Sequence, residues 1–389
     1  MNSNFGGDAS GQGGASEGSV YCGVGQLGHS GMPRRFAFFY ELQAALVSLV
    51  RKRAPDSVVA SLRYILKAPE RFAEYRYYVL RLVWMTRKFD GDRWWAQSCW
   101  LVSRLWGYHF GSRTVVCSPE IPKLNYILRK LIMLCGARPT TNVSPKGKRI
   151  AFYWIDSTKN FYPSELLAAM GESKVINGGC IDISKMNVEA VFCEVFGYSG
   201  FVDPQVHQGL AVEKGDDNAL HDGRVVQCPV DNPILGKVYM RLIDNAIDSE
   251  TVEDLRVPFF GDNIPFVYVK YRPMNERFGI ANSSVRIVET RDVFSRQEMA
   301  RINTFCRSFP VEYGELDVLR DRKNGRIYIV DVNKTPGGFA DSLSYEDEVD
   351  ALRRLWHAFT RTFLRSGNTR DTPKSRGEGL RTKISQPAL

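Results

Sequence analysis

The sequence lacks the features that mark zinc proteins, disulfide-stabilised proteins and membrane-spanning proteins. Its eight cysteines are scattered, none forms a Cys-x-x-Cys pair, and no metal-ligand spacing connects them with the five histidines. We therefore expect reduced, partly buried thiols in a cytoplasmic protein. No uninterrupted apolar stretch reaches the roughly 18 residues that a spanning helix needs. The N-terminal region also lacks the apolar segment of a secretory signal.

Apolar residues are scarce at both ends of the chain. Residues 1–32 are rich in Gly, Ser, Asn and Gln, and residues 367–389 are polar with a basic bias. Segments of this composition bury too little apolar surface to offset the entropy lost on ordering. We expect both ends to be disordered.

The rest of the chain has the composition of a globular protein. The 389 residues are 44% hydrophobic and 24% charged, and the formal net charge is +9. A positive balance favours anionic partners, which include nucleotides, phosphorylated substrates, nucleic acids and anionic lipids. The charge alone does not choose among them.

Residues 33–137 are predicted to form a helical domain that is rich in aromatic and basic side chains. The segment FAFFYELQAALVSLVRKR has helical spacing of apolar residues, and ERFAEYRYYVLRLVWMTRKF and DRWWAQSCWLVSRLWGYHF follow it. One interpretation is an aromatic core with arginines extending from its edge to solvent. The other is a basic, aromatic surface that docks on the inner face of a membrane or on another anionic partner. No zinc-finger, RNP or homeodomain pattern favours a nucleic-acid partner.

Residues 148–366 alternate between strand and helix patterns, which predicts an α+β domain. Short β-rich runs include RIAFYWI, GLAVEKG, RVVQCPV, KVYMRLI, DLRVPFF and PFVYVKYRP. SKMNVEAVFCEVFG, SRQEMARINTFCRSF and YEDEVDALRRLWHAFTRTFLR are predicted helices. Ser295 and Glu298 form a capping-box pattern at the start of the second helix.

The segment YGELDVLRDRKNGRIYIVDVNKTPGG (313–338) predicts a β-hairpin. A three-residue loop at 323–325 would place Gly325 in the left-handed conformation. In that register Asp317 lies opposite Asp331 and Glu315 lies opposite Asn333, all on one face. The other face then carries the apolar residues Leu316, Val318, Val330 and Val332. A two-residue loop would shift the register and separate the two aspartates.

Three carboxylates and an amide oxygen on one face repel one another unless a cation offsets their charge. Mg²⁺ or Mn²⁺ is one candidate, because a few carboxylates together with substrate phosphates satisfy such an ion. The alternative is an acidic strand face that nearby arginine or lysine side chains neutralise.

At this hairpin the chain resembles the ATP-grasp superfamily, and the resemblance extends over roughly residues 150–340. It implies an α+β core in which two sheets grip ATP, preceded here by the helical domain. Members of the superfamily hold Mg²⁺ on an acidic residue of one strand and an acidic-x-Asn of the next. The resemblance therefore implies Asp317, Asp331 and Asn333 as metal ligands, with Glu315 as an additional candidate.

Upstream motifs in the same order imply nucleotide contacts. GLAVEKG resembles the strand whose lysine, here Lys214, contacts ATP phosphates, and the following GDDNALHDG resembles the loop that closes over them. KVYMRLIDN resembles the hinge that receives adenine. The resemblance also implies Met240, Leu242 and Asp244 as adenine contacts, Lys270 and Arg272 as contacts of phosphates or an acyl phosphate, and Asn282 as a polar residue near the phosphates. DLRVPFFGD resembles the Asp-x-Arg strand of the superfamily, so Arg256 joins Lys270 and Arg272 as a candidate catalytic residue.

The resemblance implies an ATP- and Mg²⁺-dependent ligase. Such an enzyme activates a substrate carboxylate as an acyl phosphate, which an amine or another nucleophile then attacks. The alternatives are an ATP-dependent phosphotransferase and a non-catalytic nucleotide-binding or membrane-docking protein of a cell-surface polysaccharide pathway. We expect ATP, a small-molecule or glycan-precursor carboxylate or amine, and a cytoplasmic location with peripheral contact at the inner face of the membrane.

Overall fold

A computed structural model of the chain describes residues 104, 107–108, 111–143, 150–171, 173–279, 282–340 and 342–364. All of them belong to the unit Arg71–Leu389. The predicted disordered ends and nearly all of the predicted helical segments before residue 111 lie outside the described residues. Within the described part, no helix has the length and apolar character required to cross a membrane.

The first described elements form a parallel sheet that the sequence analysis did not anticipate. Its strands are β1 (Thr114–Pro119), β2 (Arg138–Thr140), β3 (Ala151–Trp154) and β4 (Val175–Ile176), in the order β2-β1-β3-β4. Helices α1 (Ile127–Leu134) and α2 (Ser164–Met170) connect strands of this sheet. The prediction of a helical domain through residue 137 is therefore wrong at β1, where the β-branched run Thr114, Val115 and Val116 forms a strand.

A three-stranded antiparallel sheet follows helix α3 (Lys185–Phe196), which Gly197 ends in the left-handed conformation with φ 76°. Its strands are β5 (Gly209–Gly215), β6 (Arg224–Cys228) and β7 (Lys237–Arg241), in the order β6-β5-β7. These strands lie where the sequence predicted them.

The largest sheet has five antiparallel strands in the order β10-β9-β8-β11-β12. The strands are β8 (Thr251–Phe260), β9 (Val267–Pro273), β10 (Ser284–Val288), β11 (Tyr313–Arg320) and β12 (Ile327–Asn333). Helices α4 (Thr290–Val293) and α5 (Arg296–Ser308) separate β10 from β11, and α6 (Tyr345–Phe359) follows β12. The predicted capping box of Ser295 and Glu298 is present at α5. The described part of the chain thus has three sheets joined by helices, consistent with the predicted α+β class.

The hydrophobic core fills the space between one face of the five-stranded sheet and helices α3 and α5. Val188 and Phe192 of α3 and Ile302 and Phe305 of α5 are buried in it. The alternating strand residues that complete it are Leu255, Val257, Leu316, Val318 and Val332. Because neighbouring residues of a strand point to opposite faces, the polar residues between them face away from this core.

The predicted hairpin pairing is confirmed, although its predicted cause is wrong. Asp317 lies opposite Asp331 and Glu315 lies opposite Asn333. The loop has four residues, 322–325, because Asp321 N donates to Arg326 O at 2.9 Å. A β-bulge places Val330 as one extra residue between the pairs Val318–Ile329 and Asp317–Asp331. The longer loop and the bulge together restore the pairing, and Gly325 has the predicted positive φ, 72°.

Candidate active site

The acidic face of the hairpin lies next to an arginine of β8. Arg256 is opposite Asp317 in the sheet. Its Nε donates to Asp317 Oδ1 at 2.9 Å and its Nη2 donates to Asp317 Oδ2 at 2.9 Å. Its Nη1 is 3.5 Å from Glu315 Oε2. The alternative of neutralisation by an arginine is therefore what the structure shows at these two carboxylates.

Arg256 and burial have opposite effects on the protonation of these carboxylates. Burial alone would raise the pKa of Asp317, but Arg256 and Lys270 hold it well below its usual range. Burial raises the pKa of Glu315, which the more distant Arg256 only partly offsets. Asp317 is therefore a firmly ionised carboxylate, whereas the charge of Glu315 is disfavoured.

Asp331 differs from Asp317 because, among the described residues, it has no ion-pair partner. One of its oxygens, Oδ1, accepts a hydrogen bond from Val332 N at 3.0 Å. Burial and the neighbouring Asp317 raise the pKa of Asp331 to about 6, against the attraction of Lys185 and Lys214. A buried carboxylate without a bound cation is costly as an anion, so Asp331 is suited to receive one.

The donor set fits a magnesium ion that shares its ligands with a phosphate group. Within the described residues no group of three His, Cys, Asp or Glu side chains is placed to hold a metal alone. Mg²⁺ is commonly bound by one or two carboxylates plus substrate phosphates, with water completing the octahedron. Asp331 and Asp317 match that donor set. Asn333 Oδ1 accepts from Thr335 N at 3.0 Å, so its oxygen has one donor already.

Two lysines provide positive charge near the acidic face. The ammonium groups of Lys214 on β5 and Lys270 on β9 have no hydrogen-bond or ion-pair partner within the described part of the chain. Burial lowers the pKa of Lys214 to about 8, although Asp331 opposes the shift. Burial likewise lowers the pKa of Lys270, although Asp317 opposes it. A buried ammonium without an anion is a ready contact for a ligand anion.

A third cation, Arg272 of β9, is held in place by neighbouring polar groups. Its Nη1 forms an ion pair with Asp254, and its Nε donates to Asn282 Oδ1 at 3.1 Å. Asp254 also accepts from Asn245 Nδ2 at 2.9 Å, and Asn245 Oδ1 accepts from Arg277 at 2.7 Å. This chain of contacts fixes the guanidinium of Arg272 at the cavity wall.

These side chains line one cavity of about 740 Å³, which is a size typical of small-molecule sites. The sequence-predicted residues that the structure brings together there are Lys214, Arg256, Lys270, Arg272, Asn282, Glu315, Asp317, Asp331 and Asn333. Apolar residues at the wall include Ile127, Tyr268, Phe278 and Phe339.

The predicted adenine contacts do not line this cavity. The side chain of Met240 is buried and comes within 3.5 Å of the Cβ position of Gly200. Leu242 N donates to Leu210 O at 3.4 Å, and Asp244 O accepts from Arg322 N at 2.8 Å. The main-chain groups that were expected to receive adenine are therefore partly engaged within the protein, and the adenine assignment stays a prediction.

The sequence analysis missed Lys185, the first residue of α3. Lys185 lines the cavity, and its Nζ donates to Asp217 O. It also contributes to the electrostatics of both Asp331 and Lys214. The available signal was its position directly after Ser184, at the start of an amphipathic helix where backbone N–H groups and a basic side chain both favour anions.

The chain was compared with known proteins by sequence and by structure. Neither a family model nor a curated protein sequence matches it. Among solved structures, it is similar to the ATP-grasp ligase PsnB complexed with minimal precursor, Mg and ADP, with 12% identity and a TM-score of 0.41. That match covers 63% of this chain and 98% of PsnB.

Two further matches have comparable extent. A D-alanine–D-alanine ligase from Bacillus anthracis is 12% identical with a TM-score of 0.40, over 65% of this chain and 98% of that one. The macrocyclase MdnC from Microcystis aeruginosa MRC, bound with the precursor peptide MdnA, is 10% identical with a TM-score of 0.35, over 62% and 99% of the two chains.

Proposed function

We propose that the chain is an ATP- and Mg²⁺-dependent ligase that activates a substrate carboxylate as an acyl phosphate. One observation carries this proposal: Asp331 and Asp317 share a cavity with the half-buried Lys214 and the buried Lys270, whose ammonium groups have no partner among the described residues. A site that offers carboxylates for a cation and free ammonium groups for an anion suits a ligand that is itself an anion bound to a cation. Mg·ATP has that chemistry.

The chain's own residues would position the phosphates. Lys214 of β5 and Lys185 of α3 line the same cavity as Asp331 and attract its charge. Lys270 and Arg272, both on β9, lie at the same cavity wall as Asp317. Asp317, Asp331 and Asn333 would hold Mg²⁺ or Mn²⁺, which supplies charge neutralisation on the phosphates. Catalysis would then depend on positioning and charge stabilisation.

In the proposed reaction, a carboxylate oxygen of the substrate bonds to the γ-phosphorus while the bond to the β–γ bridging oxygen breaks, and ADP leaves. An amine or another nucleophile then attacks the acyl carbon and inorganic phosphate leaves with its oxygen. Lys270 and Arg272 would hold the acyl phosphate through both steps. We further propose a small-molecule or glycan-precursor substrate.

ADP release against pooled carboxylates, with and without pooled amines, tests the ligase assignment. Ligation requires both substrates for full turnover, and hydroxylamine added in place of the amine should trap the acyl phosphate as a hydroxamate. A stable phosphorylated product formed without an amine would assign phosphotransferase chemistry instead. Mg·ATP binding without any ADP release across the pools would support the non-catalytic binding protein, and absence of Mg·ATP binding would overturn the proposal.

The cytoplasmic location and the peripheral contact with the inner face of a membrane stay predictions. The aromatic and basic surface on which the membrane contact depends, residues 71–106, lies almost wholly outside the described residues. Salt-sensitive sedimentation with anionic vesicles would support the contact, since each basic group near such a surface contributes about 1 kcal/mol.

A further inference from the structure

The loop of residues 216–223 forms one wall of the cavity, and we call it the lid loop. All of its residues from 218 to 223 line the cavity. Two of them, Ala219 and His221, have φ of 59° and 51° although neither is glycine. Residues that carry a Cβ atom rarely adopt a positive φ, and the conformation persists only where surrounding contacts hold it. The observed position of the lid loop therefore depends on its anchors.

Both ends of the lid loop are attached to its neighbours in the fold. At the first end, Lys185 N donates to Asp216 O at 3.0 Å and Met186 N donates to Asp216 Oδ1 at 2.9 Å. At the other end, Asp222 accepts from Gly215 N at 3.0 Å and forms an ion pair with Lys237. These contacts fix the ends. Within the loop, Lys185 Nζ donates to Asp217 O, and Ala219 N donates to Asn218 Oδ1 at 2.8 Å.

The loop is also held, at its first end and at Asn218, from the connection between β3 and α2. Thr158 Oγ1 accepts a hydrogen bond from Asn218 N at 3.0 Å. The next residue, Lys159, places its Nζ 3.5 Å from Asp216 Oδ2. Asn218 immediately precedes Ala219, so the Thr158 hydroxyl acts at the start of the strained segment.

Residues 156–160 form a support that is itself fixed at several points. Thr158 O accepts from Ile183 N at 2.9 Å, and Asn160 N donates to Ile181 O at 2.8 Å. Asp156 accepts from Thr335 Oγ1 at 2.7 Å, in the turn that directly follows Asn333. The support therefore connects the lid loop with the turn after the proposed metal ligands.

We propose that Thr158 and Lys159 are positioning residues that hold the lid loop closed over the cavity and so set how long a bound nucleotide is retained. The proposal rests on the proposed function, because the ligand that the lid loop covers is taken to be the nucleotide. Neither residue lines the cavity. They act through the lid loop, and their loss should change lid opening before it changes the chemistry of transfer.

The Thr158 hydrogen bond should matter more than the Lys159 ion pair. Lys159 is 59% exposed, and ion pairs of this kind are weak and screened by salt. The hydrogen bond to the backbone amide of Asn218, next to the strained Ala219, is lost completely when the Thr158 hydroxyl is removed. We expect loss of the Thr158 hydroxyl to raise the nucleotide dissociation rate about fivefold. Loss of the Lys159 charge should raise it less, and by an amount that depends on salt.

Matched pairs of variants test the proposal. Thr158→Val keeps the side-chain shape and removes the acceptor, whereas Thr158→Ser keeps the acceptor. Lys159→Met removes the charge, whereas Lys159→Arg keeps it. Two quantities are measured in each full-length variant: hydrogen exchange of the amides of residues 216–223 without ligand, and the dissociation rate of a fluorescent ADP analogue with Mg²⁺.

We expect Thr158→Val to accelerate amide exchange in the lid loop and to raise the dissociation rate about fivefold. Thr158→Ser should restore both, and exchange in β11 and β12 should be unchanged in every variant. Unchanged lid-loop exchange in a folded Thr158→Val variant would overturn the proposal. If the wild-type protein does not bind the ADP analogue, the proposed function fails, and hydrogen exchange still decides whether Thr158 holds the loop.

Discussion

Asp331 is the carboxylate on which the proposed metal site depends most. Both carboxylate oxygens of Asp317 accept hydrogen bonds from the Nε and Nη2 atoms of Arg256, whereas Asp331 has no ion-pair partner among the described residues. The two aspartates thus differ in role. Asp317 keeps its charge because of Arg256, whereas Asp331 provides a carboxylate that a metal ion can bind without displacing another side chain.

Asp331→Asn should weaken Mg·ATP binding at least tenfold, because one charged ligand is lost. Without metal and nucleotide, the free energy of unfolding should be equal or higher, since the change removes a buried carboxylate whose charge Asp317 disfavours. Isothermal titration with Mg·ATP and thermal unfolding in EDTA measure the two effects. The matched control is Asp262→Asn, an exposed carboxylate paired with Arg307, and normal Mg·ATP affinity in Asp331→Asn would contradict the metal assignment.

Lys214 is expected to recognise phosphate rather than the nucleoside. Replacing it by alanine should raise the dissociation constant of ATP far more than that of adenosine, because a charge-assisted contact is worth about 1.5–3 kcal/mol. Equilibrium binding of both ligands gives the comparison. Lys174→Ala serves as the control, because Lys174 is an exposed lysine paired with Glu312 outside the cavity, and an equal loss for both ligands would mean that Lys214 does not contact phosphate.

The hairpin loop is the element in which a single backbone conformation decides the geometry. Gly325 has φ 72° and open space around its Cβ position. Gly325→Ala should therefore destabilise the protein by about 1–2 kcal/mol through backbone strain alone. Chemical denaturation measures the change. Gly337→Ala, also in open space but without a positive φ, should preserve stability, and equal effects of the two changes would contradict the explanation.

The start of helix α5 joins the helix to the hairpin. Glu298 caps Ser295 N at 2.8 Å and accepts from Arg320 Nη1 of β11 at 2.7 Å. Burial alone would raise the pKa of Glu298, but Arg320 and Ser295 hold it below its ordinary value. Because the folded pKa is below the unfolded one, this stabilisation is present above the unfolded pKa and is lost as pH falls through the folded pKa.

Glu298→Gln should accordingly destabilise the protein by about 1 kcal/mol at pH 7. The difference from wild type should shrink as pH falls below the ordinary range of a glutamate. Denaturation at a series of pH values measures this difference in the free energy of unfolding. Glu253→Gln on β8 is measured alongside as a glutamate that does not cap a helix. A difference that stays constant down to acid pH would mean that the carboxylate charge is not what stabilises the helix start.

Local patterns in the sequence predicted most elements of the described chain. Alternation predicted β5 and the hairpin strands, and Ser295 with Glu298 predicted the start of α5, because these signals are contained in neighbouring residues. The bulge at Val330 and the four-residue loop were not predicted, since nothing local distinguishes them from a regular ladder with a shorter loop. Strand β1 was missed because the aromatic helical pattern before it was extended over Thr114–Val116.

At the scale of the whole molecule, the cavity joins residues that are far apart in sequence. Lys214 comes from the three-stranded sheet, whereas Asp317 and Asp331 come from the five-stranded sheet. The site residues that could be predicted from the sequence are charged side chains within recognisable strand patterns. The ion pair between Arg256 and Asp317 could not be predicted, because it depends on the order of the strands in the sheet. The adenine contacts could not be predicted from side-chain chemistry, because main-chain groups were expected to make them.

A ligand that contacts both sheets should stabilise the whole protein. At 100 times its dissociation constant, Mg·ADP should raise the free energy of unfolding by about 2.7 kcal/mol. Amides of β5–β7 should gain protection from hydrogen exchange together with those of β11 and β12, because the nucleotide would join the two sheets. ADP with EDTA is the control, and an equal gain without Mg²⁺ would contradict a metal bridge.

Because of the bulge at Val330, the number of residues between Asp317 and Asp331 does not by itself determine how they pair in the hairpin. If Val330 were deleted, β12 would become a regular ladder, and Asp331 would still lie opposite Asp317 across the same four-residue loop. One residue between the two aspartates is therefore dispensable for their pairing. Chains with the same acidic face can thus differ by one residue in the spacing of their aspartates, and a motif search that fixes this spacing would overlook those without the bulge.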